Sequence, residues 1–218
     1  MGSQVVGQKL VGKNTKPRPE FDLYTTPVPV VERMLHELYH HVKANNVYEV
    51  LDPCAGNGAF HKAIKNVYPY WNVTNKDIVQ RKYPVVVEDF LTAPVDKLYD
   101  IVVMNPPYVD AVEFVTTALK HVREGGIVVA FLKLDFLGSK KRHALFKQNH
   151  LRHVIVNVER VTCLYNDDPA QTHGGTTETG WFIFSKSPSG NLPTISWSSR
   201  DGNKHKGLYQ VRSDKGRL

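Results

Sequence analysis

Asn105-Pro106-Pro107-Tyr108 closes the apolar run YDIVVM in a way ordinary strands do not end. Proline cannot donate to a sheet ladder, and it biases the residue before it toward extended backbone. Asn105 is therefore pinned at a strand's carboxyl end, where its side-chain oxygen and the Pro106 carbonyl are two acceptors with little freedom. Tyr108 adds a flat aromatic face just beyond. Such a set is compatible with holding a planar amine. The stretch does not say which one: adenine N6, cytosine N4, guanine N2 and a glutamine amide all pose the same problem.

A second group lies upstream in DPCAGNGAF, residues 52–60, where Gly56 and Gly58 stand between a strand-like and a helix-like segment. Glycines there permit positive φ and close approach of a ligand to the backbone. A dinucleotide fingerprint would continue to a third glycine, but that position is His61, and Asp52 precedes the turn. A carboxylate at Asp52 repels a pyrophosphate and suits an ammonium. Turn N–H groups suit a carboxylate, Asp77 suits ribose hydroxyls, and Asp89 suits an adenine amino group. S-adenosylmethionine carries all of these parts.

The elements that must position these residues follow from periodicity. Helical spacing runs from Val28 to about Lys43 (Val30, Val31, Met34, Leu35, Leu38, Val42) and again after Gly58. It recurs near 110–123 and 139–149. Seven segments read as strands: YEVLDP, WNVTNKD, PVVVEDF, YDIVVMN, GGIVVAFLKL, HVIVNVE and GWFIFSK. Alternation of strands with helices, and runs rich in β-branched residues, predict an α/β fold: a seven-stranded, mostly parallel sheet with helices on both faces. Ligands of such sheets bind at the strands' carboxyl ends, where Asp52, Asp77, Asp89 and Asn105 all fall.

The motifs FDLYTTP (21–27), DPCAGNGAF (52–60), Asp77, EDF (88–90) and NPPY (105–108), in this order, resemble those of class I S-adenosylmethionine-dependent N6-adenine DNA methyltransferases. The order is similar to the gamma arrangement, and the likeness is strongest to small phage and prophage enzymes over residues 20 to 186. It implies a Rossmann-like class I methyltransferase fold. It also implies cofactor contacts by Tyr24, Thr25, Thr26, Pro27, Asp52, Pro53, Ala55, Gly56, Gly58, Phe60, Asp77, Ile78, Asp89, Phe90 and Asn105. Catalysis is implied for Asn105, Pro106, Pro107 and Tyr108: the two acceptors draw the amine toward tetrahedral geometry while Tyr108 stacks on a base flipped out of the duplex. The related enzymes place an Arg and an aromatic after the sixth strand. In ERVTCLY Arg160 matches, whereas Cys163, Leu164 and Tyr165 are all in range of the aromatic position. Alternatives left open are the same chemistry on RNA, a protein-glutamine methyltransferase, and an idle nucleic-acid binder.

Charge and composition point the same way. The net charge of +7 favours a polyanionic partner, nucleic acid and on the resemblance DNA, although ribosomal or anionic-membrane contact gives the same sign. Lys140, Lys141, Arg142 and Lys147 gather on one predicted helix and, with Arg160 and Tyr165, are candidate substrate contacts. The two cysteines form no CxxC pair, no run has membrane-spanning length, and the N-terminus has no apolar signal core, so the cytoplasm (a host's, for a phage enzyme) is the expected location. HELYH (36–40) matches a zinc-protease helix motif, with His36 and His40 one turn apart. It lacks the GxxH extension and an evident third ligand, so no metal is expected. Residues 1–20 read as a basic flexible arm, 21–186 as the catalytic domain, and 187–218 as a basic extension, either a small β addition or a tail. The polar loop 166–180 reads as a mobile substrate loop or a long hairpin connection.

Overall fold

The computed structural model describes residues 23–39, 41–42, 46–148, 150–165, 168–174 (backbone only), 177–188 and 190–200, without the side chain of Lys141. The basic arm, Phe21 and Asp22, His40 and residues 201–218 lie outside the described residues.

Eleven strands and four helices are described. The strands β1 (Tyr24–Thr25), β2 (Glu49–Asp52), β3 (Asn72–Asp77), β4 (Val86–Val87), β5 (Tyr99–Met104) and β6 (Val122–Lys133) come first. They are followed by β7 (Leu151–Asn157), β8 (Thr162–Tyr165), β9 (Asp168–Gly174), β10 (Thr179–Ser185) and β11 (Thr194–Ser198). The helices are α1 (Val28–Leu38), α2 (Ala59–Val67), α3 (Ala111–His121) and α4 (Lys140–Lys147). Eight strands form the main sheet in the order β11-β7-β10-β6-β5-β2-β3-β4. All neighbouring pairs run parallel except those of β10, which is antiparallel to both β6 and β7. All seven expected strands are present. The eighth, β11, comes from the LPTISW stretch and adds to the outer edge beside β7.

Alternate residues of the central strands enter two cores. Ile101, Val103, Val129, Phe131, Trp181 and Ile183 pack with α1 and α2 on one face. Val102, Met104, Val128, Ala130, Phe182 and Phe184 pack with α3 and Leu145 of α4 on the other. Burial on both faces is why these strands read as continuous apolar runs rather than alternating ones. Val30, Val31, Met34, Leu35 and Leu38 of α1 are all buried, so the helix carrying HELYH is a sheet-covering helix. Within that motif His36 is exposed. Among the described residues no cluster of three or more His, Cys, Asp or Glu side chains is arranged to hold a metal, and no helix is long and apolar enough to cross a membrane.

Local differences from the periodicity have physical reasons. α1 stops at Leu38 rather than near Lys43, because the chain turns there with the His41 N–H donating to the Leu38 carbonyl at 2.8 Å. PVVVEDF contributes only Val86–Val87 at the sheet's edge, both exposed, behind a proline. The polar stretch after Tyr165 contains β9, which pairs antiparallel with β8; β1 pairs with the other side of β8. This second, three-stranded sheet ties the YTT element to the segment after β7.

Candidate active site

Chain order places β2, β3 and β4 on one side of a reversal and β5 and β6 on the other, so β2 and β5 flank the switch point. Asp52 ends β2, and Asn105 follows the last residue of β5. Asp77 ends β3, Asp89 lies two residues past β4, and Lys133 ends β6. Parallel alignment therefore gathers these residues along one rim.

Asp52 is fully buried. Its Oδ1 accepts from the Cys54 N–H at 3.1 Å, whereas Oδ2 has no partner. Desolvation, opposed by the Cys54 N–H and reinforced by the nearby Asp77 charge, pushes its pKa up to about 8. An orphaned, buried carboxylate oxygen calls for a cationic donor. The Cys54 thiol beside it is held well above its usual range, first by burial and then by Asp52 and Asp77.

The Gly-rich turn needs its glycines. Gly56 has φ 52° and Gly58 φ 77°. A Cβ at Gly56 would lie 2.6 Å from Leu23 Cδ1, and one at Gly58 would lie 2.6 Å from the Tyr83 ring. Leu23 and Tyr83 thus form the walls of the turn, and neither was singled out from sequence. Asp77 secures the turn from below: its Oδ2 accepts from the Gly56 N–H at 2.8 Å and its Oδ1 from the Val79 N–H at 3.1 Å. Pro53 and Ala55 are buried, and the Ala55 N–H donates to the Lys76 carbonyl at 3.0 Å.

Asn105 is held from across the chain. Its Nδ2 donates to the Tyr24 carbonyl at 3.0 Å and to Thr26 Oγ1 at 3.1 Å. Both amide protons are engaged, which leaves Oδ1 as the acceptor end. Pro106 is buried behind it and Pro107 exposed. Tyr108 is 39% exposed, with Lys133 Nζ 5.3 Å from its ring centroid. Burial, followed by Cys163 and Asp135, holds its hydroxyl far above the ordinary tyrosine range, so the phenol stays neutral. Lys133 was hidden from sequence reading inside GGIVVAFLKL.

Other expected residues sit less centrally. Pro27 precedes α1 and its carbonyl accepts the Val30 and Val31 N–H groups. Thr25 pairs with Leu164 in the small sheet. Phe60 is buried 5.8 Å from the Trp181 ring, and Phe90 is buried 4.8 Å from the His121 ring. Both are packing partners. Ile78 is exposed. Asp89 accepts from the Leu91 N–H at 3.0 Å and from Thr92 Oγ1 at 3.1 Å, as a turn cap does.

The basic set does not act as one unit. Arg142 donates to the Asp135 carbonyl at 2.6 Å and covers the Phe136 ring, which commits it to bracing a turn. Arg160 pairs with Glu178 at 2.8 Å on the surface. Lys140 and Lys147 are exposed on α4. Of the three residues in range of the aromatic position, Cys163 is buried, Leu164 is half-buried, and Tyr165 meets the Tyr24 ring at 5.5 Å.

No family model and no curated protein matches the chain. Solved structures do. A candidate class I S-adenosylmethionine-dependent methyltransferase from Listeria monocytogenes superposes with TM-score 0.58 at 14% identity, over 80% of this chain and 65% of that one. A type I restriction-modification methyltransferase subunit from Streptococcus thermophilus gives 0.59 at 15%, over 78% and 46%. The fold is the Rossmann-like class I methyltransferase fold. A candidate RNA methyltransferase from Pyrococcus horikoshii, at 0.56 and 15% over 78% and 90%, shares it. The chain therefore spans less than two thirds of the length of the first two. β10 is the antiparallel strand of the main sheet, set between β6 and β7, and Asp52 and Asn105 lie at the carboxyl ends of parallel strands, where open α/β sheets generally bind ligands.

Proposed function

We propose that the protein transfers a methyl group from S-adenosylmethionine to the exocyclic N6 amine of adenine in DNA, in the cytoplasm. The observation that carries this reading is the orientation of Asn105: both amide protons are engaged, which leaves Oδ1 as an acceptor, on the strand next to that of the orphaned oxygen of Asp52. The cofactor, when bound, supplies an electrophilic methyl on a sulfonium.

The chain's own residues do the rest. Asp52 receives the cofactor's ammonium, and Asp77, already fixing the Gly-rich turn, faces the ribose. Asn105 Oδ1 and the Pro106 carbonyl accept the two N–H bonds of the amine, drawing its lone pair out of the ring. Tyr108 stacks on the flipped base. S-adenosylmethionine, held by Asp52 and Asp77, would supply the methyl and leave as its thioether, and the amine held by Asn105 and Pro106 would shed one proton to solvent. Alignment and oriented dipoles carry the rate. The neutral Tyr108 takes no part as a base. DNA is favoured by the motif order and by the likeness to a restriction-modification subunit; the net charge of +7 suits either nucleic acid.

The test incubates purified protein with labelled S-adenosylmethionine and unmethylated DNA, RNA or protein, followed by mass spectrometry of the hydrolysate. N6-methyladenine in DNA is expected, and Asn105→Ala lowers its yield at least about 100-fold. Label confined to protein, or full activity in Asn105→Ala, overturns the reading.

A further inference from the structure

A primary amide is nearly symmetric in shape, so a half-turn of the Asn105 side chain exchanges oxygen and nitrogen at little steric cost. Only one orientation presents an acceptor to an amine. What selects it lies on two other elements. The Tyr24 carbonyl, 3.0 Å away, has no proton to give and therefore requires the NH2 end. Thr26 Oγ1, 3.1 Å away, is ambiguous by itself, because a hydroxyl can donate as well as accept.

The other side of Thr26 bears on that ambiguity. Its neighbour is the Cys163 thiol, which burial pushes up and Thr26 draws back down, and both residues are buried, at 2% and 8% exposure. With an amide N–H already directed at its oxygen, the hydroxyl proton is free to turn toward the sulfur. Pairing of β1 with β8 sets this geometry, since Thr25 lies opposite Leu164, the neighbour of Cys163.

We propose that Thr26, backed by Cys163, is a positioning residue that sets the orientation of the Asn105 amide. The proposal rests on the reading of Asn105 as the amine's acceptor, and it gives Thr26 a task different from the cofactor contact that the motif resemblance implies. Removing the hydroxyl leaves one anchor of two. Removing the thiol leaves a hydroxyl proton that is satisfied by turning toward Asn105, which favours the flipped amide.

The experiment compares Thr26→Val, Thr26→Ser, Cys163→Ala and Asn105→Ala by three readouts: kcat for N6-methyladenine formation in unmethylated DNA, calorimetric Kd for S-adenosylmethionine, and the thermal melt. Thr26→Val is expected to lower kcat about 10-fold to 100-fold, with the cofactor Kd within about twofold of the parent. Thr26→Ser restores kcat to within about threefold, and Cys163→Ala lowers it by about threefold to tenfold at unchanged Kd. A parental kcat in Thr26→Val, alongside an inactive Asn105→Ala, overturns the proposal and leaves the acceptor reading standing. A Kd raised tenfold or more, with kcat recovered at saturation, also overturns it by making Thr26 a cofactor contact. An active Asn105→Ala instead removes the acceptor reading on which the proposal rests. Should Thr26→Val fail to fold, Cys163→Ala decides: a parental kcat there overturns the proposal.

Discussion

Asp52→Asn is the most informative single change, because it separates the cost of the buried carboxyl from its use. In the folded chain the carboxyl titrates near 8, against 3.8 for the ordinary side chain. Below about pH 4 the group is neutral in both folded and unfolded states and contributes nothing. Between about 4 and 8 the unfolded chain has lost the proton while the folded chain keeps it, so stability falls as pH rises. Above about 8 both states are ionised and the loss is complete. The difference between about 8 and 3.8 corresponds to a ceiling of about 6 kcal/mol, of which relaxation and water entry leave about 3 kcal/mol to be measured. Asparagine carries no charge at any pH and keeps an oxygen for the Cys54 N–H. Urea unfolding of parent and variant from pH 4 to 9 is therefore expected to show near-equal stability at pH 4. The variant's advantage then grows with pH and levels off above about 8. S-adenosylmethionine should stabilise the parent at pH 8 and do little for the variant, whose amide offers the ammonium no charge. A difference that is flat across the range, or one favouring the parent at high pH without ligand, refutes the account of the orphaned oxygen.

Two further changes test the rim. Gly58→Ala combines a φ of 77° with a Cβ placed 2.6 Å from the Tyr83 ring; a stability loss of about 1–2 kcal/mol in thermal melts, with cofactor affinity weakened at least tenfold by calorimetry, is expected. Tyr108→Phe keeps the ring and loses a hydroxyl that stays neutral across the working range. Its pH–rate profile should superpose on that of the parent with kcat within about threefold, whereas Tyr108→Ala loses the stacking surface and raises the KM for DNA.

The residues that end strands were legible because their chemistry and their position come from the same local stretch. Prolines pin Asn105, and the short strand ending Val50-Leu51 delivers Asp52 to the rim; parallel pairing then does the gathering. The fold was legible for a similar reason, since burial on both faces writes itself into unbroken apolar runs such as IVVAFL. Contacts made across the chain left no such trace. Nothing in RKYPV announces that Tyr83 will rest on Gly58, and Phe60, named with the glycines as a cofactor residue, is turned by the inward face of α2 onto Trp181. The YTT element shows the limit most clearly. Its motif was readable, but its partner was not: the four residues of β8 are too short to carry a period, and the bonds from Asn105 reach back about eighty positions, 81 to Tyr24 and 79 to Thr26. An amide's direction is decided by which of its neighbours can donate. That depends on a pairing formed only in the folded chain, so the motif could name Asn105 without saying what fixes the direction of its amide.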